Sequence, residues 1–272
     1  MAKRVAVLSD IHGNLLALQA VVDDLTRQEI ETVITLGDHL SGPLWPLETA
    51  RFLMRQKWIQ IAGNHERQML DLDPDQLGPS DKYAVENLTF AEMEWLHSLP
   101  GMMRIGRNIL MFHGAPGNDE VYLLETIIDC RTRPATVEEI KSRLKDLSAP
   151  IMLCGHSHIP RCVQIPNGRM IINPGSVGLP AYNDDGTEPH IIENGSPHAR
   201  YAILENIDGK WTVDFRLVPY DHLAAAVQAD SNHRLDWEIA LRTGYMSESF
   251  GDNPPEVIVK TTPGRKTSLV RL

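Results

Sequence analysis

Short β-branched runs alternate with helix-period segments through the first half of the chain, and this alternation is the signature of an α/β fold. The runs predict strands over 5–9, 32–36, 58–62, 109–113 and 151–154. Between the first two, Leu15, Leu18, Val22 and Leu25 recur at helical spacing and mark one apolar helix face. Thr136 and Glu139 form a capping box that opens a second such helix through Val137, Ile140, Leu144 and Leu147. Further helices are expected over 46–56, 64–70 and 91–96.

The second half reads as strands over 170–173, 201–205 and 212–218, followed by helices over 223–229 and 235–242. Residues 182–198 are rich in Asn, Asp, Gly, Pro and Glu and read as a long surface loop, of a length usually reserved for lids. One domain is expected over 1–250, with a weakly ordered tail over 251–272 containing Pro254-Pro255.

Charge and cysteine usage narrow the function classes. Lys plus Arg number 26 against 36 Asp plus Glu, a net charge of −10, which disfavours bulk nucleic-acid binding and anionic membrane surfaces. Small phosphorylated substrates stay open, because bound cations reverse the field locally. Three cysteines without a C-x-x-C pair give neither a disulfide framework nor a thiolate zinc site. The apolar run 5–8 is too short for a secretory signal, and no later segment is long enough to span a bilayer. A cytoplasmic protein is therefore expected.

Metal-capable side chains sit at the C-terminal ends of the predicted strands: Asp10 and His12, then Asp38, Asn64 with His65, His113, and finally His156 with His158. In an α/β sheet these ends open on a common crevice, so residues distant in sequence meet there. Five of the chain's 11 histidines fall in these motifs. Imidazole nitrogens with hard carboxylate and amide oxygens suit Mn, Fe or Zn, and thiolates are absent from the set.

Asp10-Ile11-His12, Gly37-Asp38, Gly63-Asn64-His65-Glu66, His113-Gly114 and Gly155-His156-Ser157-His158 resemble the five ordered motifs of the calcineurin-like metallophosphoesterases. Ser9-Asp10-Ile11-His12-Gly13-Asn14 and Asn173-Pro174-Gly175-Ser176-Val177 are similar to the bacterial branch of small metallophosphoesterases and phosphodiesterases. The resemblance implies a sandwich of two mixed β-sheets flanked by helices, with two divalent metal ions at the strand ends. Carried over by position, Asp10, His12 and His158 would hold one metal. Asn64, His113 and His156 would hold the other, and Asp38 would bridge the two. His65 would face the substrate beside Asn64 as the catalytic acid, and a metal-bridging hydroxide would attack phosphorus. The implied substrate is a small, nucleotide-like phosphodiester or phosphomonoester. His39 departs from the family pattern and is read as a wall of the substrate pocket.

Two other readings stay open: a protein Ser/Thr phosphatase, whose pattern after Gly-Asp is absent here, and a non-catalytic scaffold of the same fold. His97, His222 and His233 are expected on helices in structural roles, Cys154 in the core, and the charges of 81–86 and 138–139 on solvated helix faces.

Overall fold

In the computed structural model, which describes residues 3–166 and 168–246, β1 (Lys3–Leu8) is the axis of the first sheet. Ala6 and Leu8 face one apolar cluster with Leu18, Val21 and Leu25 of α1 (Leu15–Arg27), whereas Val5 and Val7 face a second cluster on the opposite side. A strand covered on both faces needs a continuous apolar run, which 5–8 supplies. β2 (Thr32–Thr35) and β3 (Ile59–Gln60) add in parallel on one side. The antiparallel β13 (Ala199–Ile207) and β14 (Lys210–Val218) add on the other, giving the order β14-β13-β1-β2-β3.

The second sheet has the order β4 (Met102–Ile105), β5 (Ile109–Phe112), β8 (Ile151–Leu153), β10 (Met170–Asn173), β9 (Arg161–Gln164). Its parallel centre sends Ile109, Met111, Ile151, Leu153 and Ile172 into the cluster holding Val5 and Val7. Leu110, Phe112, Met152 and Ile171 point the other way, against Ile140 and Leu144 of α6 (Val137–Leu144). The result is a sandwich of two five-stranded mixed sheets flanked by helices, as the motifs implied.

The helical period held for most helices but not for their edges. On α1 the buried stripe is Leu18, Val21 and Leu25, with Val22 on its flank. Asp24 also lies on the buried face, because the Tyr201 hydroxyl donates to it at 2.7 Å and Arg216 at 3.2 Å. α2 (Pro46–Met54), α3 (Asn64–Asp71), α5 (Phe90–Ser98), α7 (His222–Ser231) and α8 (Leu235–Thr243) fall where helices were expected. α4 (Pro79–Asn87) contains the 81–86 stretch expected on a helix face; its apolar face is short, and its start is marked by Pro79 in the first turn. His233 lies in the turn between α7 and α8 rather than on a helix, with φ at 59°.

The loop expected over 182–198 is a correction. Most of it is a hairpin, β11 (Ala181–Asp184) paired with β12 (His190–Glu193), whose tip is closed by the Gly186 N–H donating to Asp184 at 2.8 Å. Two-stranded ribbons carry polar residues on both edges, so the polar composition that suggested a loop also fits this hairpin. A second hairpin, β6 (Glu125–Ile128) with β7 (Arg131–Pro134), stands beside it. The tail over 251–272 lies outside the described residues. Among those described, no helix is long and apolar enough to cross a membrane.

Candidate metal centre

The pairing between β1 and β2 runs on past the strand ends and zips two loops together. The Asp10 N–H donates to Gly37 O at 3.1 Å, His12 to Asp38 O at 2.9 Å and Gly13 to His39 O at 2.8 Å. On the second sheet the Gly155 N–H reaches His113 O at 2.7 Å. Five side chains on these loops sit on left-handed backbone: Asp10 (φ 55°), His12 (52°), Asp38 (54°), His156 (70°) and His158 (58°). A left-handed conformation at a non-glycine residue is uncommon, and strained residues concentrate where geometry serves function. Here the surrounding hydrogen bonds hold it.

Glu66 contributes much of that hold. From the first turn of α3 its buried carboxylate accepts the N–H groups of Asp38 (2.8 Å), His39 (2.8 Å) and Gly63 (2.7 Å). One side chain thus ties the loop after β2 to the loop after β3. Burial pushes the Glu66 pKa up, and the facing His39 ring with these donors outweighs that and lowers it. Gly63 must be glycine, because a Cβ there would overlap Asp38. On the far side the Ser176 hydroxyl donates to Asp10 O at 2.8 Å, and Asn173 donates to Gly155 O at 2.7 Å. The 173–177 segment therefore props up both ligand loops.

Two groups of ligand atoms result. Asp10, His12 and His158 form one, and Asp38, His113 and His156 the other; within each, the ligand atoms lie within 4.8 Å of one another. The groups are contiguous. Asp38 Oδ2 is 3.1 Å from His113 Nε2 and 4.0 Å from His12 Nε2, while Asp10 Oδ1 is 3.4 Å from His158 Nε2 and 3.9 Å from His113 Nε2. Asn64 sits beside them, buried, with its side-chain oxygen unpaired.

Backbone carbonyls fix how the imidazoles present themselves. His12 Nδ1 lies 2.7 Å from Ser41 O, His113 Nδ1 2.7 Å from Leu36 O, and His158 Nδ1 2.7 Å from Leu179 O. A carbonyl only accepts, so each Nδ1 carries a proton and each Nε2 faces the centre. His156 is the reverse: Nε2 donates to Glu120 O at 3.0 Å, leaving Nδ1 toward the site. This outer support is what orients metal-binding imidazoles.

The donor set fits divalent cations. His12 Nε2 and His158 Nε2 are 3.1 Å apart. With both Nδ1 atoms protonated, two lone pairs face each other, which is unfavourable unless a positive charge lies near both. Asp10 Oδ2 and Asn64 Oδ1 are buried without a hydrogen-bond partner, which is rare for such groups and costly if left so. Burial lowers the pKa of both His12 and His156 to about 4, with His158 and His113 respectively adding repulsion, so these two rings are neutral and ready to ligate. Burial raises the Asp10 pKa, but His158 and His113 outweigh it and bring it to about 2.

His65 faces the centre from α3. Its Nε2 is 4.0 Å from Asp38 Oδ2 and its Nδ1 is 2.8 Å from Asp81 Oδ1. Asp81 is a correction: expected on a solvated face, it is 4% exposed and turned inward from α4. His39 is another. It is fully buried, with Nε2 2.8 Å from the Thr35 hydroxyl and Nδ1 3.4 Å from Glu66, so it braces the loops from behind and lines no substrate pocket. Small polar neighbours supplied better partners for this ring than the crevice did.

Aromatic walls flank the centre, and sequence reasoning missed them. Tyr182 of β11 packs on His158 with ring centroids 4.7 Å apart, Tyr122 on His156 at 4.8 Å, and Trp237 of α8 on His12 at 5.9 Å. Tyr122 Oη lies 2.6 Å from both Tyr182 Oη and His190 Nε2. These residues come from a polar hairpin, a loop and a distant helix, none with a motif to mark it.

Comparison with known proteins agrees with this geometry. The chain is 25% identical to "Uncharacterized protein MJ0912" of Methanocaldococcus jannaschii over 251 residues, covering 86% of this chain and 94% of that one. It superposes on the crystal structure of a metallophosphoesterase from Sphaerobacter thermophilus with a TM-score of 0.69 at 24% identity, covering 90% of this chain and 100% of that one. Residues 4–191 match the family model of the calcineurin-like phosphoesterase superfamily domain, and the chain belongs to that superfamily.

Proposed function

We propose that this chain hydrolyses phosphoric esters of small molecules with two divalent cations, one held by Asp10, His12 and His158 and the other by Asn64, His113 and His156, with Asp38 shared. The observation that carries this reading is the pair of contiguous three-residue groups with Asp38 within 4.0 Å of a histidine from each. When bound, such cations supply Lewis acidity toward phosphoryl oxygens and lower the pKa of a water to near neutrality.

The chain's own residues do the rest. The outer carbonyls hold four imidazoles in one tautomer each, so the donor set needs little rearrangement as substrate arrives. His65 presents Nε2 to the crevice while Asp81 holds Nδ1, an arrangement suited to giving a proton to the leaving oxygen. Tyr182 and Trp237 wall the crevice from two sides, which favours compact substrates over folded phosphoproteins. Three free cysteines suit a reducing cytoplasm.

Turnover of one chromogenic phosphomonoester and one phosphodiester, before and after chelation and with Mn²⁺ added back, tests the reading. Activity that disappears on chelation and returns with the metal supports it; no turnover of either ester in the metal-loaded protein leaves the scaffold reading instead.

A further inference from the structure

The first sheet ends on β14, and no described residue pairs with its outer edge. At nine residues it is the longest edge strand in either sheet, and it pairs with β13 through nine consecutive positions without a bulge. Natural sheets blunt such edges with charged side chains, proline, bulges or a covering element; of these, β14 has only the charges of Lys210, Asp214 and Arg216 among the described residues. Here Pro219 follows the strand rather than interrupting it. The face carrying Trp211 and Val213 packs into the inner cluster, but further along that face Phe215 and Leu217 are 40% and 50% exposed. An edge that is both unpaired and apolar at one end is suited to strand addition.

We propose that the occupant is a second copy of this chain, joined by antiparallel pairing of β14 with itself about a two-fold axis through Phe215. The register follows from charge. In antiparallel pairing, directly opposed residues share a face, so a two-fold register that keeps the faces aligned must centre on a residue. Centring on Asp214 sets that carboxylate against itself, centring on Arg216 sets two guanidinium groups together, and centring on Val213 opposes Lys210 and Arg216. Centring on Thr212 matches Lys210 with Asp214 but leaves Phe215 and Leu217 uncovered. Only the register centred on Phe215 satisfies both faces. It opposes Asp214 and Arg216 twice, Val213 and Leu217 twice, and Phe215 with its own copy across the axis.

Two details fit that register. Asp214 is 61% exposed, and its in-chain approach to Arg216 is long, at 3.6 Å, leaving room for a second cation. Arg216 is held in place by Asp24 at 3.2 Å, so the guanidinium a partner would meet is already oriented. Cross-strand aromatic and opposite-charge pairs each add a modest favourable amount, and a like charge directly opposite reverses it. The assembly would be one continuous ten-stranded sheet across two protomers, an isologous arrangement. It leaves the metal centre untouched.

Sedimentation equilibrium of the full-length chain over a wide concentration range is the test, with two variants. The wild-type chain should dimerise, and Asp214→Lys, which opposes two cations, should raise the dissociation constant at least tenfold while the folded spectrum persists. Phe215→Cys in a Cys130→Ser/Cys162→Ser background should oxidise to a covalent dimer, whereas Leu217→Cys in that background should not, because it faces Val213. A wild-type chain that stays monomeric at every concentration overturns the proposal. So does a dimer that Asp214→Lys does not weaken and Phe215→Cys does not cross-link.

Discussion

His65 Nδ1 lies 2.8 Å from Asp81 Oδ1, joining the first turn of α3 to the first turn of α4 at the rim of the metal centre. Burial alone would lower the His65 pKa, but the Asp38 and Asp81 carboxylates more than reverse this and raise it to about 10. Asp81 on Nδ1 leaves Nε2 toward the crevice, placed to donate a proton. General acid assistance is worth about 10²–10⁴ in rate. His65→Ala should therefore lower kcat by about that factor while bound metal stays unchanged, and the loss should shrink for esters with good leaving groups. Metal analysis beside a leaving-group series checks this; loss of one metal equivalent would make His65 a ligand instead.

Asp81→Asn separates orientation from donation. It keeps the side chain's shape and removes the charge that favours the imidazolium. Turnover should fall less than in His65→Ala, and the fall should again be steepest for poor leaving groups. A uniform fall across the series, with a lowered melting temperature, would reduce Asp81 to a structural brace.

The candidate metal-binding groups could be picked out because their members follow strands whose apolar runs are themselves readable. The strand 109–112, for instance, is buried throughout and delivers His113 directly. The aromatic walls were not legible. Tyr182 lies in a hairpin whose exposed residues carry no alternating pattern, and Tyr122 lies in a segment held by loop hydrogen bonds. His39 was misread because it follows Asp38, a candidate ligand, whereas its ring turns back toward Thr35. Asp81 was misread because a helix start with scattered charges looks solvated until the partner histidine, 16 residues earlier, is placed beside it.

Glu66 should prove structural rather than chemical. Glu66→Ala leaves three buried N–H donors without an acceptor and should cost about 3 kcal/mol or more. Glu66→Gln, which retains an acceptor oxygen, should recover part of this. Denaturant midpoints with unchanged slopes would show it; an Ala variant as stable as wild type would contradict the account.

The hairpin tip offers a test of substrate size. Residues 183–189 are exposed, and the tip extends from the strand that places Tyr182 over His158. Replacing 185–189 with a tight two-residue turn should leave metal binding intact and raise the rate on a phosphopeptide relative to a small ester. An unchanged ratio would remove the hairpin from any role in selection.

Asp24 gives a pH signature remote from the site. Burial raises its pKa, but the Tyr201 hydroxyl and Arg216 outweigh this and hold it below its ordinary value. A carboxyl depressed on folding stabilises the protein above its unfolded pKa, about 3.9, and that stabilisation is lost as pH falls through the folded value. Asp24→Asn should therefore be less stable than wild type at neutral pH, and the gap should narrow as pH drops below about 4. A gap constant from neutral to acidic pH would contradict this.

Calorimetric titration of the metal-free chain with Mn²⁺ tests the central claim most directly, because it reads the two ligand groups without any assumption about substrate. Two equivalents should bind. Asp10→Asn should weaken one site selectively, and Asp38→Asn should weaken both, since Asp38 lies within 4.0 Å of a histidine from each group. A single equivalent in the wild-type chain, or two in the Asp38→Asn variant with unchanged affinity, would contradict a shared two-metal centre.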